Sequence, residues 1–225
     1  MLERILPSGT AVVSTTGELG AELFPEEEAA VGHSVEKRRR EFVTARACAR
    51  RALSQLGYPA QPIPSGARGE PVWPTGIVGS ITHCAGYRAC AVAPATELLA
   101  LGVDAEVDDP LPERLIGDIA LPEERRWIEA AAAADPGISW DRLLFSIKES
   151  IYKAWFPLAR SWLGFEDASV AIDRDRGTFS ASLLVPGPTL GGRHLDGFSG
   201  RWLAADRLLL SAIAVPANGA QMEGF

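Results

Sequence analysis

The order of parts in this sequence points to an α+β fold of two similar α/β halves, pseudo-twofold in plan, with a site at their interface. Three observations lead there. Two stretches of helical periodicity, residues 34–56 and 140–156, each carry cations along one side. Each is followed by short apolar stretches that read as strands closed by a hairpin, at 78–93 in the first half and 201–215 in the second. An acidic strand end lies near the midpoint of the chain, where a site between two halves would fall. The halves are set at 1–103 and 104–225. They share an order of parts and no evident residue-level likeness.

Residues 1–30 are mixed and acidic and assign to no element. From Ser34 to Leu56 the interrupted stripe of Val35, Phe42, Val43, Ala49, Leu53 and Leu56 predicts a helix stopped by Gly57 and Pro59. Arg39, Arg46 and Arg50 share one side of it, with Arg38 close by. A solvated basic face is the ordinary fate of such a run. A phosphate clamp is the functional alternative, because guanidinium forks match phosphate oxygens. Residues 57–76 are rich in Pro and Gly and read as loop, with a short strand at Pro71–Trp73 and a mobile cation in Arg68. Val78–Ala93 reads as strand, turn and strand with its bend at Ala85-Gly86, and His83 stands at the rim among small and polar residues. Cys84 adjoins His83, but no further histidine–carboxylate arrangement supports a thiol nucleophile.

Leu99, Leu101 and Val103 alternate with Ala100, Gly102, Asp104 and Glu106, the period of a strand. Positions 104 and 106 then point to one side, about 6.6 Å apart along the backbone. Two carboxylates so placed repel unless a cation sits between them. Hard oxygen ligands of this kind suit Mg²⁺, which keeps several waters and takes substrate phosphate as a further ligand. The plain alternative is a strand running out into the acidic turn of Asp108 and Asp109.

Leu121–Ala134 reads as an alanine-rich helix opened by Pro122-Glu123-Glu124 and broken at Asp135-Pro136-Gly137. In the helix predicted for Trp140–Phe156, one face collects Trp140, Leu143, Leu144, Ile147, Ile151 and Trp155. The other collects Phe145, Glu149, Tyr152 and Phe156, flanked by Lys148 and Lys153. Residues 158–164 turn the chain. Ala168–Ile172, Thr178–Val185 and Arg201–Val215 read as strands, the last folding at Ala205-Asp206-Arg207. Residues 187–200 read as loop and the tail after Pro216 as loose.

With 225 residues and 47% hydrophobic composition the chain can bury one sizeable core or two small ones. Its net charge of -7 argues against indiscriminate nucleic-acid binding. The three cysteines, Cys48, Cys84 and Cys90, form no CxxC, and the opening residues do not read as a secretory leader. A reducing cytoplasm and no structural zinc are therefore expected. No apolar run reaches the roughly 18 residues of a membrane span, so a soluble protein with no membrane partner is expected.

The combination is more specific than its parts. An Asp-x-Glu at a strand end is followed by Lys-Glu-x-x-x-Lys on a helix that also displays aromatics. On these residues the sequence resembles the 4'-phosphopantetheinyl transferases of the surfactin and enterobactin synthetase type, particularly their actinobacterial branch. The motifs are Gly102-Val103-Asp104-Ala105-Glu106 and Phe145-Ser146-Ile147-Lys148-Glu149-Ser150-Ile151-Tyr152-Lys153-Ala154-Trp155. The blocks at 37–50, 69–88 and 162–167 match as well, and the likeness spans residues 34–215 in the family's order.

The resemblance implies coenzyme A lying between the halves. It implies transfer of the phosphopantetheine arm to a serine hydroxyl of an apo acyl or peptidyl carrier protein, with release of adenosine 3',5'-bisphosphate. By position Asp104, Glu106 and Glu149 resemble the ligands of a Mg²⁺ ion, which Mn²⁺ could replace. Lys148 and Lys153 resemble partners of the pyrophosphate. Arg38, Arg46 and His83 match positions that hold coenzyme A phosphates, and Phe145, Tyr152 and Trp162 resemble the wall for the arm and the carrier. One departure stands out: relatives carry a lysine in the 62–68 loop where this chain has Ser65, with Arg68 nearby. Residues 1–103 would then hold the nucleotide end, and residues 104–225 the metal and the carrier. A monomer is expected.

Such a transfer needs charge neutralisation and in-line positioning more than a protein nucleophile. Glu149, Lys148 and Lys153 are the candidate catalytic residues, with Glu149 the base for the carrier serine. A Mg²⁺-dependent pyrophosphohydrolase would explain the acids but not the aromatics beside them. A non-catalytic coenzyme A or carrier module would have no use for three acids.

Overall fold

Strand β1 (Ala11–Thr15) follows a 3-10 turn at Leu2–Ile5 in the computed structural model, which describes residues 1–32, 34–190 and 192–217. Helices α1 (Pro25–Glu28) and α2 (Glu36–Gln55) come next, then the hairpin of β2 (Ile77–Cys84) and β3 (Tyr87–Pro94). Its turn places Gly86 at φ 76°, a left-handed backbone that glycine adopts without steric cost. The second half contains β4 (Leu98–Val107), α3 (Glu113–Ile119), α4 (Pro122–Ala134) and α5 (Trp140–Ala159). The strands β5 (Ala168–Asp173), β6 (Thr178–Leu183), β7 (Thr189–Leu190), β8 (Arg193–His194), β9 (Gly197–Ala205) and β10 (Leu208–Pro216) complete it.

The mixed α+β class is as expected. Three-stranded β1-β3-β2 carries α2, and five-stranded β4-β10-β9-β6-β5 carries α5. Hydroxyls join the sheets: Ser80 and Thr82 of β2 accept the N–H groups of Val103 and Ala105 of β4 at 3.0 and 2.9 Å. Along its length β4 pairs with β10, so the 103/104 division falls inside a continuous strand. Under the second sheet the apolar face of α5 packs on Leu209, Ile213 and Phe179, and Trp140 stands edge-on between Trp127 and Trp202.

Several elements differ from expectation for identifiable reasons. β1 lies in the unassigned N-terminal stretch and owes its extension to pairing with β3, from Ala11↔Val92 to Thr15↔Arg88. The strand expected at 71–73 shrinks to one bridge, Ser65↔Pro71, because Pro71 and Pro74 have no N–H for a ladder. β9 begins inside the stretch read as loop. A Cβ at Gly197 or Gly200 would collide with the carbonyls of Ala181 or Ala212, so these glycines permit close strand approach where they read as loop signals. Helix α3 lies in a stretch to which sequence pattern assigns no element, with Ile119 its one buried residue. α5 runs past Phe156 through Pro157 and ends with Arg160 in a left-handed cap. The expectation of a loose tail after Pro216 lies almost wholly outside the described residues.

One device recurs in both halves. Phe24-Pro25-Glu26-Glu27 opens α1 and Leu121-Pro122-Glu123-Glu124 opens α4. Glu27 and Glu124 accept the N–H of the residue before their proline, at 3.0 and 2.7 Å. Both are buried, and each takes a cation from the long helix that follows: Arg50 at 2.8 Å and Lys148 at 2.8 Å. Each also accepts a backbone N–H from beyond that helix, Ile63 at 2.9 Å and Val170 at 2.8 Å. The two Pro-Glu-Glu segments therefore make the same set of contacts, each within its own half.

Candidate active site

Helix α5 reaches β4 at Gly102, where a Cβ would collide with the Ser150 carbonyl and crowd Ala154. That close approach sets Lys153 against the acidic end of the strand. Its Nζ donates to Asp104 Oδ1 at 2.7 Å and to the Val103 carbonyl at 3.1 Å. Thr82 Oγ1, which accepts the Ala105 N–H, donates to the same Asp104 oxygen at 3.2 Å. Asp104 is 5% exposed, and its other oxygen, Oδ2, is buried with no hydrogen-bond partner. An unpaired buried carboxylate oxygen is costly and calls for a cation or donor.

Two further carboxylates feel that charge. Glu106 is pushed up to about 7 by burial and by Asp104, against the pull of Arg142. Burial and Asp104 also raise Glu149, against the pull of Lys153. This electrostatics fits a divalent cation among Asp104, Glu106 and Glu149. The expected cage is nonetheless not preassembled. Among the described residues no three His, Cys, Asp or Glu side chains converge closely enough to hold a metal ion. Two of the three acids are held by cations instead: Glu106 pairs with Arg142 at 3.1 Å, and Asp104 pairs with Lys153 at 2.7 Å.

A carboxylate whose folded value is raised above the ordinary 4.5 contributes stability that is full below that pH and lost as pH climbs through about 7. In metal-free protein Glu106→Gln is therefore expected to melt above wild type at pH 8 and alongside it near pH 4.5, read by scanning calorimetry. A lower Tm at pH 8 would mean that the Arg142 pair outweighs burial and repulsion.

Between the halves lies a cavity of about 780 Å³, within the usual range for a cofactor-sized site. Arg38, Arg46, Arg68 and His83 line it from the first half, and Glu149, Tyr152 and Lys153 from α5. Arg38 Nη1 donates to His83 Nε2 at 3.0 Å, and burial together with Arg38 holds the imidazole below its ordinary value. Arg46 is more deeply committed than a free clamp. Burial lowers it to about 10, while Nε donates to the Ile63 carbonyl at 2.8 Å and Nη2 to Ser65 Oγ at 3.1 Å. Ser65, at the departure from the family pattern, thus anchors Arg46.

A smaller pocket of about 160 Å³ adjoins, lined by Glu149, Tyr152, Trp162 and Phe165 among others. Tyr152 contacts Trp162 with ring centroids 5.1 Å apart, and Phe145 meets Phe165 at 5.9 Å. Trp162 is 65% exposed.

Lys148 departs from expectation. It lines the small pocket but does not reach the carboxylates of the site. Its ammonium is buried and its three donors are taken by Glu124 at 2.8 Å, the Ile119 carbonyl at 2.9 Å and the Phe165 carbonyl at 2.7 Å. Packing of α4 against that side of α5 is the reason. Cys84 is pushed up to about 12 by burial and by the Glu106 and Asp104 charges, so it stays a thiol. Sequence reasoning missed Thr82 and Arg142. The only signal for Arg142 was its place two turns before Glu149, on the same side of the helix.

The chain is similar to known proteins over most of its length. Residues 26–93 match the 4'-phosphopantetheinyl transferase N-terminal domain, and residues 100–200 match the 4'-phosphopantetheinyl transferase superfamily. The 4'-phosphopantetheinyl transferase Svp of Streptomyces mobaraensis is 53% identical over 201 residues, covering 89% of this chain and 82% of its own. This chain belongs to the 4'-phosphopantetheinyl transferase superfamily. The transferase is also 47% identical over 225 residues to 4'-phosphopantetheinyl transferase Npt of Nocardia iowensis, covering 95% of this chain and 99% of the relative. To 4'-phosphopantetheinyl transferase PptT of Mycobacterium tuberculosis it is 46% identical over 196 residues, with 85% and 86% covered. The cavity between the halves is thus the candidate active site of a phosphopantetheinyl transferase. No helix among the described residues is long and apolar enough to cross a membrane.

Proposed function

We propose that the transferase moves the phosphopantetheine arm of coenzyme A onto a serine hydroxyl of apo acyl or peptidyl carrier proteins, with Mg²⁺ or Mn²⁺, releasing adenosine 3',5'-bisphosphate. One observation carries this reading. A cavity of about 780 Å³ has arginines at one side and the Glu149–Lys153 face of α5 at the other, beside a buried Asp104 oxygen that lacks a partner. Arg38, Arg68 and His83 would meet the nucleotide phosphates, with Arg46 bracing the 63–65 loop behind them. Tyr152, Trp162 and Phe145 would border the arm and the carrier. Asp104, Glu106 and Glu149 would hold the ion, whose chemistry when bound is to neutralise the diphosphate.

The serine oxygen forms a bond to the phosphorus that bears the pantetheine. The bond from that phosphorus to the oxygen shared with the nucleotide phosphate breaks, and the bisphosphate leaves with the electron pair. Glu149, raised by burial, takes the serine proton. Lys153 spends two donors on Asp104 and Val103, which leaves one N–H for the diphosphate. Lys148 has no donor left and takes no part in this assignment. In this reading residues 1–103 serve the nucleotide and residues 104–225 the metal and the carrier. The shared Pro-Glu-Glu device supports relating the halves by a twofold duplication. Three free cysteines suit a reducing cytoplasm, and a site completed within one chain suits a monomer.

Intact-mass measurement of a panel of apo carrier proteins, incubated with coenzyme A and Mg²⁺, tests the reading through the gain of one phosphopantetheine arm. Turnover of coenzyme A without any acceptor would instead indicate a hydrolase. Glu149→Gln is expected to cut turnover at least about tenfold with the fold intact by circular dichroism. An unchanged rate under saturating Mg²⁺ would remove Glu149 from the mechanism.

A further inference from the structure

The acidic tip of β4 is laced to the start of α5. Ser139 N–H donates to Asp108 at 2.8 Å, and Leu111 N–H donates to Asp141 at 2.9 Å. Arg142 goes further. Its Nε donates to the Asp109 carbonyl at 3.0 Å, Nη2 to the Pro110 carbonyl at 3.3 Å, and Nη1 to Glu106 Oε2 at 3.1 Å. The planar fork therefore ties one oxygen of Glu106 to the backbone of the turn that follows it. Asp104 is handled alike: Thr82 and Lys153 hold Oδ1, and Oδ2 has no partner. On each carboxylate the protein engages one named oxygen.

We infer that Arg142 is a positioning residue for the metal site, fixing Glu106 through one carboxylate oxygen so that the other meets the ion. This rests on the metal-dependent reading above. The opposite role, a latch that keeps Glu106 from the ion, would use the same contact and predicts the opposite result. Partners that orient a ligand typically set metal affinity by roughly 10- to 100-fold.

The test measures Mn²⁺ affinity by the paramagnetic resonance signal of the free ion, on the full chain without coenzyme A. Arg142→Ala is expected to weaken Mn²⁺ binding at least about tenfold. Asp108→Ala, which cuts the Ser139 staple of the same turn without touching Glu106 or Arg142, is expected to stay near wild type. Equal or tighter binding by Arg142→Ala overturns the inference, and so does an equal loss in both variants, which would report mere loosening of the turn. Should Arg142→Ala fail to fold, Arg142→Lys keeps the charge without the fork and is expected to bind more weakly than wild type; unchanged binding overturns the inference. Wild type that binds no Mn²⁺ even with coenzyme A present would instead sink the metal-dependent reading itself.

Discussion

Asp104→Asn is expected to lower the rate of phosphopantetheine transfer at least about hundredfold while leaving the protein folded. The lower bound follows from comparison. Residues that merely orient a metal ligand cost roughly 10- to 100-fold when lost, and Asp104 is placed to hold the ion directly. It is also the counter-charge of Lys153, at 2.7 Å, so neutralising it weakens the contact that positions the ammonium for the diphosphate. The amide oxygen of asparagine can still accept from Thr82 and Lys153, which is why the fold should survive. Initial rates from the mass-shift assay at saturating Mg²⁺, with circular dichroism as the control, check this. A rate close to wild type would show that the buried oxygen at Asp104 serves packing alone.

The second large effect falls on stability. Glu124→Ala is expected to destabilise the transferase by about 3–5 kcal/mol, because it leaves the Lys148 ammonium buried without its counter-charge. Both side chains are nearly inaccessible, and burial already pushes Lys148 below its ordinary value against the support of Glu124. For a chain of this size the loss corresponds to a fall in Tm of roughly 6–20 °C. Replacing both partners, Glu124→Leu with Lys148→Met, should recover part of the loss, since an apolar pair carries no orphaned charge. If that double variant also keeps its turnover, Lys148 is confirmed as a staple between α4 and α5. If it folds but does not turn over, Lys148 belongs to the chemistry after all.

The periodicities of the sequence by themselves determined the two long helices, the hairpin of β2 and β3, the strand at 98–107 and the two faces of α5. These are local properties: apolar spacing, a glycine at a turn, a proline at a helix start. The motifs around Asp104 and Glu149 also carry the likeness to the family, independently of the fold. Local pattern carried no further. Lys148 and Lys153 stand on one helix and look alike in sequence, yet only Lys153 meets Asp104, because Gly102 lets that side of α5 close on β4 while α4 covers the other. Arg46 looked like a free clamp until burial committed its guanidinium to Ile63 and Ser65. β1 exists because β3 lies beside it, and Thr82 and Arg142 matter because distant strands and turns bring carboxylates to them. Which charge is buried, and against what, is decided by packing between segments far apart in the chain.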